Sequence, residues 1–387
     1  ELDLPHHGRL TGMGLRRGIT LIVGGGYHGK STLLKALEAG VYNHVAGDGR
    51  EYVITDSTAM KLRAEDGRSI QNTDISLFIN DLPNKKNTKC FSTEDASGST
   101  SQAAAGIEGI EAGSRAFLID EDTSATNFMV RDDLMQKIIS RSKEPITPFI
   151  ERARDLYENA GISTIMVAGS SGAYFYIADT IIQMDCYEPL DITDKTKAFC
   201  ASYGAEPITR APGFALPARG RKLQTGTSTS GLSNSGLSAS GRSGQSQNAQ
   251  PEEHGKGGYR QGGSYGRGRG GRDGARGGYG SQGGREERIK VKVYGKDSLQ
   301  VGKSPVDLRF VEQLIDPEQT NALAQMLRYC VEHQLLERYT VADTVTLLEK
   351  EIKKGGITAV SDTSYAACGL CMPRTQEIFA CINRYRG

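Results

Sequence analysis

At 387 residues the chain is long enough for two domains. Its net charge of +1 rules out a protein that is basic throughout, so any contact with nucleic acid has to be local. No apolar run reaches the roughly 18–20 residues of a membrane helix, which argues against a membrane-embedded transporter chain.

The sequence starts at Glu1, without Met or a leader-like stretch, and enters a strand pattern almost at once. Sequence upstream, including any targeting segment, is therefore expected to be missing. Residues 1–205 alternate short apolar runs with longer helical patterns, which predicts an α/β domain with a mostly parallel sheet. Three runs stand out: Ile19-Thr20-Leu21-Ile22-Val23, Ala116-Phe117-Leu118-Ile119 and Thr164-Ile165-Met166-Val167. Each is almost continuously apolar, as a strand buried on both faces has to be, and each leads into a polar loop. Ligands of open α/β sheets bind at such strand ends.

The first of these loops is Gly24-Gly25-Gly26-Tyr27-His28-Gly29-Lys30-Ser31, a GxxxxGK[ST] phosphate loop. An accidental glycine-rich turn would lack its context, because a buried strand precedes it and a helical pattern from Thr32 follows. Glycines let the backbone wrap a phosphate chain, and the loop amides together with the helix N-terminus supply positive potential. Lys30 is expected on the β- and γ-phosphates of ATP and Ser31 on Mg²⁺. His28 stands at a variable position of the loop and reads as a spacer. The second run in chain order, Ala116 to Ile119, ends in Asp120-Glu121. Asp120 is placed to hold Mg²⁺ and Glu121 to polarise the attacking water, since phosphoryl transfer needs positioning and charge neutralisation more than covalent chemistry.

Residues 206–288 read as a linker. Its Ser/Gly-rich half cannot bury enough apolar surface to fold. Its second half carries Gly266-Arg267-Gly268-Arg269-Gly270-Gly271-Arg272 and Arg276-Gly277-Gly278-Tyr279, with Tyr259 and Tyr265 interleaved. Arg267, Arg269, Arg272 and Arg276 suit phosphate contact, and Tyr265 and Tyr279 suit base stacking, so this disordered segment is expected to bind RNA with low sequence specificity. A plain spacer needs no arginine. Residues 289–387 form a smaller, mainly helical α+β domain: a strand at Ile289 to Val293, a helix from Pro317 capped by Asp316, a second over Val341 to Lys354, and a third from Arg374 to about Arg384. Cys368 and Cys371 make one CxxC without a second pair, so they read as buried thiols rather than as a zinc site. With seven cysteines and no disulfide framework, the chain suits a reducing compartment.

Between the phosphate loop and Asp120 stands Ala96-Ser97-Gly98-Ser99-Thr100-Ser101-Gln102-Ala103-Ala104, and after Glu121 comes Asp122-Thr123-Ser124-Ala125-Thr126-Asn127. The order phosphate loop, Ser-Gly signature, acidic strand end and D-loop resembles the ABC class. With Glu144-Pro145-Ile146-Thr147-Pro148-Phe149, most of residues 8–200, and more weakly 289–387, is similar to the predicted ABC-class ATPase family. The Arg/Gly insert resembles its kinetoplastid branch associated with mitochondrial RNA editing. The resemblance implies an ABC ATPase head, a homodimer sandwiching two ATPs, Ser97 and Gly98 acting in trans on the γ-phosphate, and Ser124 to Asn127 crossing the interface. It also implies a mitochondrial location and membership of a multiprotein RNA-editing complex. Two departures stand out. The strand at Thr164 to Ala168 is followed by Gly169-Ser170-Ser171-Gly172 with no switch histidine, and Ser170 takes its place as a γ-phosphate or water ligand. The Q-loop glutamine is also absent, with Asp74 or Gln71 as candidates. An ATP-driven RNA clamp, a nucleotide-gated scaffold with negligible turnover, a small-molecule kinase and a transporter head are the functions in play, and the motif order favours the clamp.

Overall fold

The computed structural model describes residues 1–132, 138, 140–204, 208, 210–218, 220–223, 289–362 and 369–387. The Ser/Gly and Arg/Gly stretch, with Tyr259, Tyr265, Arg267, Arg269, Arg272, Arg276 and Tyr279, lies outside the described residues, as does Cys368.

A short ribbon, β1 (Leu2–Leu4) and β2 (Gly8–Leu10), opens the chain. Strand β3 (Ile19–Val23) carries the glycine-rich loop into α1 (Lys30–Ala39). There follow β4 (Met60–Leu62), β5 (Arg68–Thr73), β6 (Phe91–Ala96), α2 (Gly98–Glu111), β7 (Ala116–Asp120) and α3 (Thr126–Met129). Next come α4 (Phe149–Ala160), β8 (Ser163–Val167), β9 (Thr180–Asp185), β10 (Glu188–Asp191) and α5 (Thr193–Tyr203). Six strands form one sheet in the order β10-β9-β3-β8-β7-β4. All pairings are parallel except that of β9 with β10.

The near-continuous apolar runs follow from this topology. Side chains alternate across a strand, so a sheet covered on both faces needs apolar residues at every position. Ile19, Leu21, Phe117, Ile119 and Met166 meet Ala103, Ala104 and Ile107 of α2 and Phe149, Ala153 and Leu156 of α4 on one face. Ile22, Leu118, Val167 and Ile182 meet Leu34 of α1 on the other.

The C-terminal portion begins with an antiparallel sheet of β11 (Val291–Tyr294), β12 (Ser298–Val301) and β13 (Ser304–Asp307). Among the described residues four helices follow: α6 (Pro317–Glu332), α7 (Leu335–Arg338), α8 (Val341–Gly355) and α9 (Thr375–Arg384). Asp316 caps α6, with Pro317 in the first turn and Gln319 completing a capping box. Leu299, Val301, Val306, Leu323, Met326, Leu327, Cys330, Ile378 and Ile382 make this portion's core.

Both portions pack into one compact unit. The three-residue β4 ends the large sheet, and an edge strand needs partners for its open backbone groups. Gln313, 4% exposed, supplies them. Its side chain accepts from the Lys61 amide at 2.9 Å and donates to the carbonyls of Ala59 at 3.2 Å and Glu38 at 3.1 Å. One buried amide thus joins the C-terminal portion to the edge strand and to the end of the phosphate-loop helix. Among the described residues no helix is long and apolar enough to cross a membrane.

Candidate functional site

The phosphate loop is built where side chains have no room. Gly24 has φ +142, and a Cβ there would come within 2.4 Å of the Met184 carbonyl oxygen. Gly29, φ +98, caps α1 in the left-handed region, and a Cβ on it would lie 2.7 Å from a ring carbon of Tyr187. Gly25, Gly26 and Tyr27 are exposed on the crest of the loop, Tyr27 with φ 64. The Lys30 ammonium folds back over the loop and donates to the carbonyls of Gly24 and Gly25, both at 2.8 Å. Two weak neutral acceptors hold it there, and a phosphate oxygen is a stronger acceptor for the same ammonium. Ser31 and Thr32 are exposed in the first turn of α1.

Strand β7 brings the acidic pair to the same end of the sheet. Asp120 is buried, and its Oδ1 accepts from the Asp122 amide at 3.1 Å. Ser31 and Asp120 together line a cleft of about 540 Å³, with Lys35, Glu38 and Lys61 and with Lys296, Arg309 and Glu312 from the C-terminal portion. A hydroxyl and a carboxylate are hard oxygen donors, and the pair fits Mg²⁺.

The register of β7 on β8, with Asp120 opposite Val167, sets Glu121 beside the loop that follows β8. Oε2 of Glu121 accepts from the amides of Gly169 at 2.6 Å and Ser170 at 3.0 Å, and Oε1 accepts from the Ser170 hydroxyl at 2.6 Å. Burial pushes the carboxyl pKa up. The Ser170 hydroxyl and the amides of Ser170, Gly169 and Ser171 outweigh it, and the net position is below the ordinary carboxylate value. The carboxylate is therefore ionised, with Oε2 accepting two hydrogen bonds and Oε1 one.

Ser97 is the exposed N-cap of α2 and accepts from the Thr100 amide. Gly98 is buried where a Cβ would meet Ala64 at 3.2 Å, Asp66 at 3.3 Å and Ala125 at 3.5 Å. Two side chains lock the segment after Glu121 onto α2. Ser99 Oγ donates to Asn127 Oδ1 at 2.5 Å. The Gln102 amide donates to Ser124 Oγ and accepts from the Ala125 amide, both at 2.9 Å.

Asp74 is not brought to this cluster. It follows the Thr73 end of β5, where Thr73 pairs with Phe91, and its Oδ1 accepts from the amide and hydroxyl of Ser76 in a turn. The opposite end of β5, at Arg68, pairs with Ala96 next to the signature. The backbone carbonyl of Gln71 accepts from Arg221 at 3.0 Å. The position beside the acidic strand belongs to the residues after β4. Leu62 pairs with Ile119, and the Ala64 amide donates to the Thr123 carbonyl at 3.0 Å. Arg63 stands there, its guanidinium 4.5 Å over the Phe310 ring and paired with Glu312.

A family model described as the P-loop domain of ABC_ATPase matches residues 1–215. The chain belongs to the ABC_ATPase family. A second model, the MRB1590 C-terminal domain, matches residues 290–387. The chain is also similar to the uncharacterised protein MJ1628 of Methanocaldococcus jannaschii, 31% identical over 173 residues. That match takes in 44% of this chain and 37% of the relative's length. Membership of ABC_ATPase makes the six-stranded sheet the core of a P-loop domain.

His28, read from the sequence as a spacer, has a partner of its own in this ABC_ATPase core. Its Nδ1 lies 3.0 Å from the Cys186 amide and 3.1 Å from Asp185 Oδ1. Nδ1 accepts from the amide when it is bare and donates to the carboxylate when it carries the proton. Sequence reasoning missed this β9–β10 turn because Cys186-Tyr187 contains neither the glycine nor the asparagine that marks a tight hairpin.

Proposed function

We propose that the chain hydrolyses ATP and that two copies close on it to grip RNA, in mitochondrial RNA editing or processing. The observation that carries the reading is the gathering of Ser31 and Asp120 on one cleft, with Glu121 next in the chain and Lys30 already folded over the loop. Lys30 leaves the carbonyls of Gly24 and Gly25 for the β- and γ-phosphates. Ser31 and Asp120 hold Mg²⁺, which when bound neutralises charge on the phosphate oxygens. Glu121, whose Oε1 accepts only from Ser170 among the described residues, orients the attacking water. Ser97 and Gly98, at the free N-terminus of α2, cap the γ-phosphate bound by the other copy, and Ser124 to Asn127 cross between copies.

RNA contact is assigned to the Arg/Gly stretch, through Arg267, Arg269, Arg272, Arg276, Tyr265 and Tyr279. The match of residues 290–387 to the MRB1590 C-terminal domain supports an RNA-editing setting. The test is ATP turnover of the purified chain with and without single- and double-stranded RNA, alongside Glu121→Gln and with the oligomeric state followed by sedimentation. Turnover in wild type, with loss of about 10²–10⁴-fold in Glu121→Gln and an ATP-trapped dimer, supports the clamp. A wild-type protein that binds ATP and RNA without turnover refutes hydrolysis. The hold of Ser170 on Glu121 favours that second reading, a nucleotide-gated RNA scaffold.

A further inference from the structure

The two-residue turn between β9 and β10 is fastened to the phosphate loop. The Tyr187 amide donates to the His28 carbonyl at 3.1 Å, and the Cys186 amide lies 3.0 Å from His28 Nδ1. Cys186 and Tyr187 have φ of 49 and 71, the left-handed pair that so tight a hairpin requires and that glycine or asparagine ordinarily fills. A tyrosine kept there bears a conformational cost, which points to a use for its ring. The ring rests on Gly29, since a Cβ on that glycine would come within 2.7 Å of it. Even so, Tyr187 is 65% exposed. It is an aromatic shelf, anchored to the loop on one side and open on the other.

Sheet topology says which part of a nucleotide reaches it. Ser31, Asp120 and Glu121 place the terminal phosphate toward β8 and β7, on one side of β3. Strands β9 and β10 lie on the other side. A nucleotide whose terminal phosphate points to β7 trails its sugar and base toward β9 and β10.

We propose that Tyr187 stacks on the nucleobase of the bound nucleotide, an inference that rests on reading the glycine-rich loop as an ATP site. Stacking engages the π face that all purines share, so the shelf supplies affinity and leaves the choice between ATP and GTP open.

Calorimetric titration of the full chain with MgATP, MgGTP and magnesium tripolyphosphate tests this. Tyr187→Ala weakens MgATP and MgGTP about tenfold, the scale of one aromatic–base stack. Tyr187→Phe keeps the wild-type affinity, and tripolyphosphate binds all three proteins equally. Three results overturn the proposal: unchanged ATP affinity in Tyr187→Ala, equal loss of ATP and tripolyphosphate (the turn then merely shapes the loop), or the base-dependent loss appearing in Tyr27→Ala instead. A wild-type chain that binds neither MgATP nor tripolyphosphate removes the ATP reading itself, and this inference with it.

Discussion

In the proposed reaction Glu121 activates the water, and its hydrogen bond with Ser170 makes a prediction about pH. The depressed pKa of Glu121 keeps its carboxylate ionised further into acid than an ordinary one. Ser170→Ala removes the 2.6 Å hydroxyl bond and leaves burial, the largest contribution and a raising one, less opposed. The carboxyl pKa then rises, and the acid limb of the turnover profile moves to higher pH. A pH–rate series on the two proteins checks the direction. An acid limb that stays in place would mean that Glu121 is not the group titrating. The alkaline side is expected to be the same in both, because the substitution adds no titratable group.

Helix α2 shows what one element contributes to the site. Its small residues let it lie close to the sheet: a Cβ on Gly109 would come within 2.8 Å of the Phe117 ring and one on Gly106 within 3.3 Å of Phe78. From that seat Gln102, fully buried, holds Ser124 and the Ala125 amide. Gln102→Leu keeps the volume and strips both bonds, leaving the part-buried amide unpaired at a cost of about 1 kcal/mol. Amide hydrogen exchange is expected to quicken at residues 124–127 while β3 keeps its protection, and equal rates in both proteins would show that the lock lies elsewhere. The Ser-Gly signature was legible by its place between the phosphate loop and the acidic strand end, whereas the helix that follows it was not predicted. Strands β3, β7 and β8 were legible because burial on both faces writes a continuous apolar run. Strand β4 was not. Three residues, Met60–Leu62, are too few for a pattern, so the sequence reading, with its candidates at Asp74 and Gln71, did not consider the residues after β4. The β9–β10 turn was hidden for want of a turn residue, and with it the partner of His28.

At the scale of the whole molecule, a buried set of charges joins the ATPase core to the C-terminal helix. Arg68 pairs with Glu108 of α2, and Arg384 of α9 pairs with Glu65 at 2.5 Å. Arg221 binds Glu111 and Asn383, both within 2.7 Å. No periodicity reveals pairs 40 and 319 residues apart, and each of these charges reads in the sequence as an ordinary solvated one. Burial pushes Glu108 upward, and Arg68, Arg221 and Arg384 more than reverse it, so its carboxyl sits below the ordinary 4.5. The folded value is the depressed one. Its contribution to stability is therefore full above the unfolded carboxylate pKa and is lost as pH falls below that value toward the folded one. Glu108→Gln leaves the buried guanidinium of Arg68 with only Glu65, 3.9 Å away and already paired with Arg384, a loss of about 3–5 kcal/mol by the usual cost of breaking a buried pair. The variant should also lose less stability on acidification than wild type does, because the group whose protonation costs wild type its pairing is gone. Urea denaturation at a series of pH values from neutral to acid measures both effects. A large deficit at neutral pH that narrows in acid is the expected pattern, whereas a constant deficit would place the damage in packing rather than in charge. The arginines come from the ATPase core and from the chain's last helix alike, so the two portions are expected to share one urea transition, and two separate transitions would count against it.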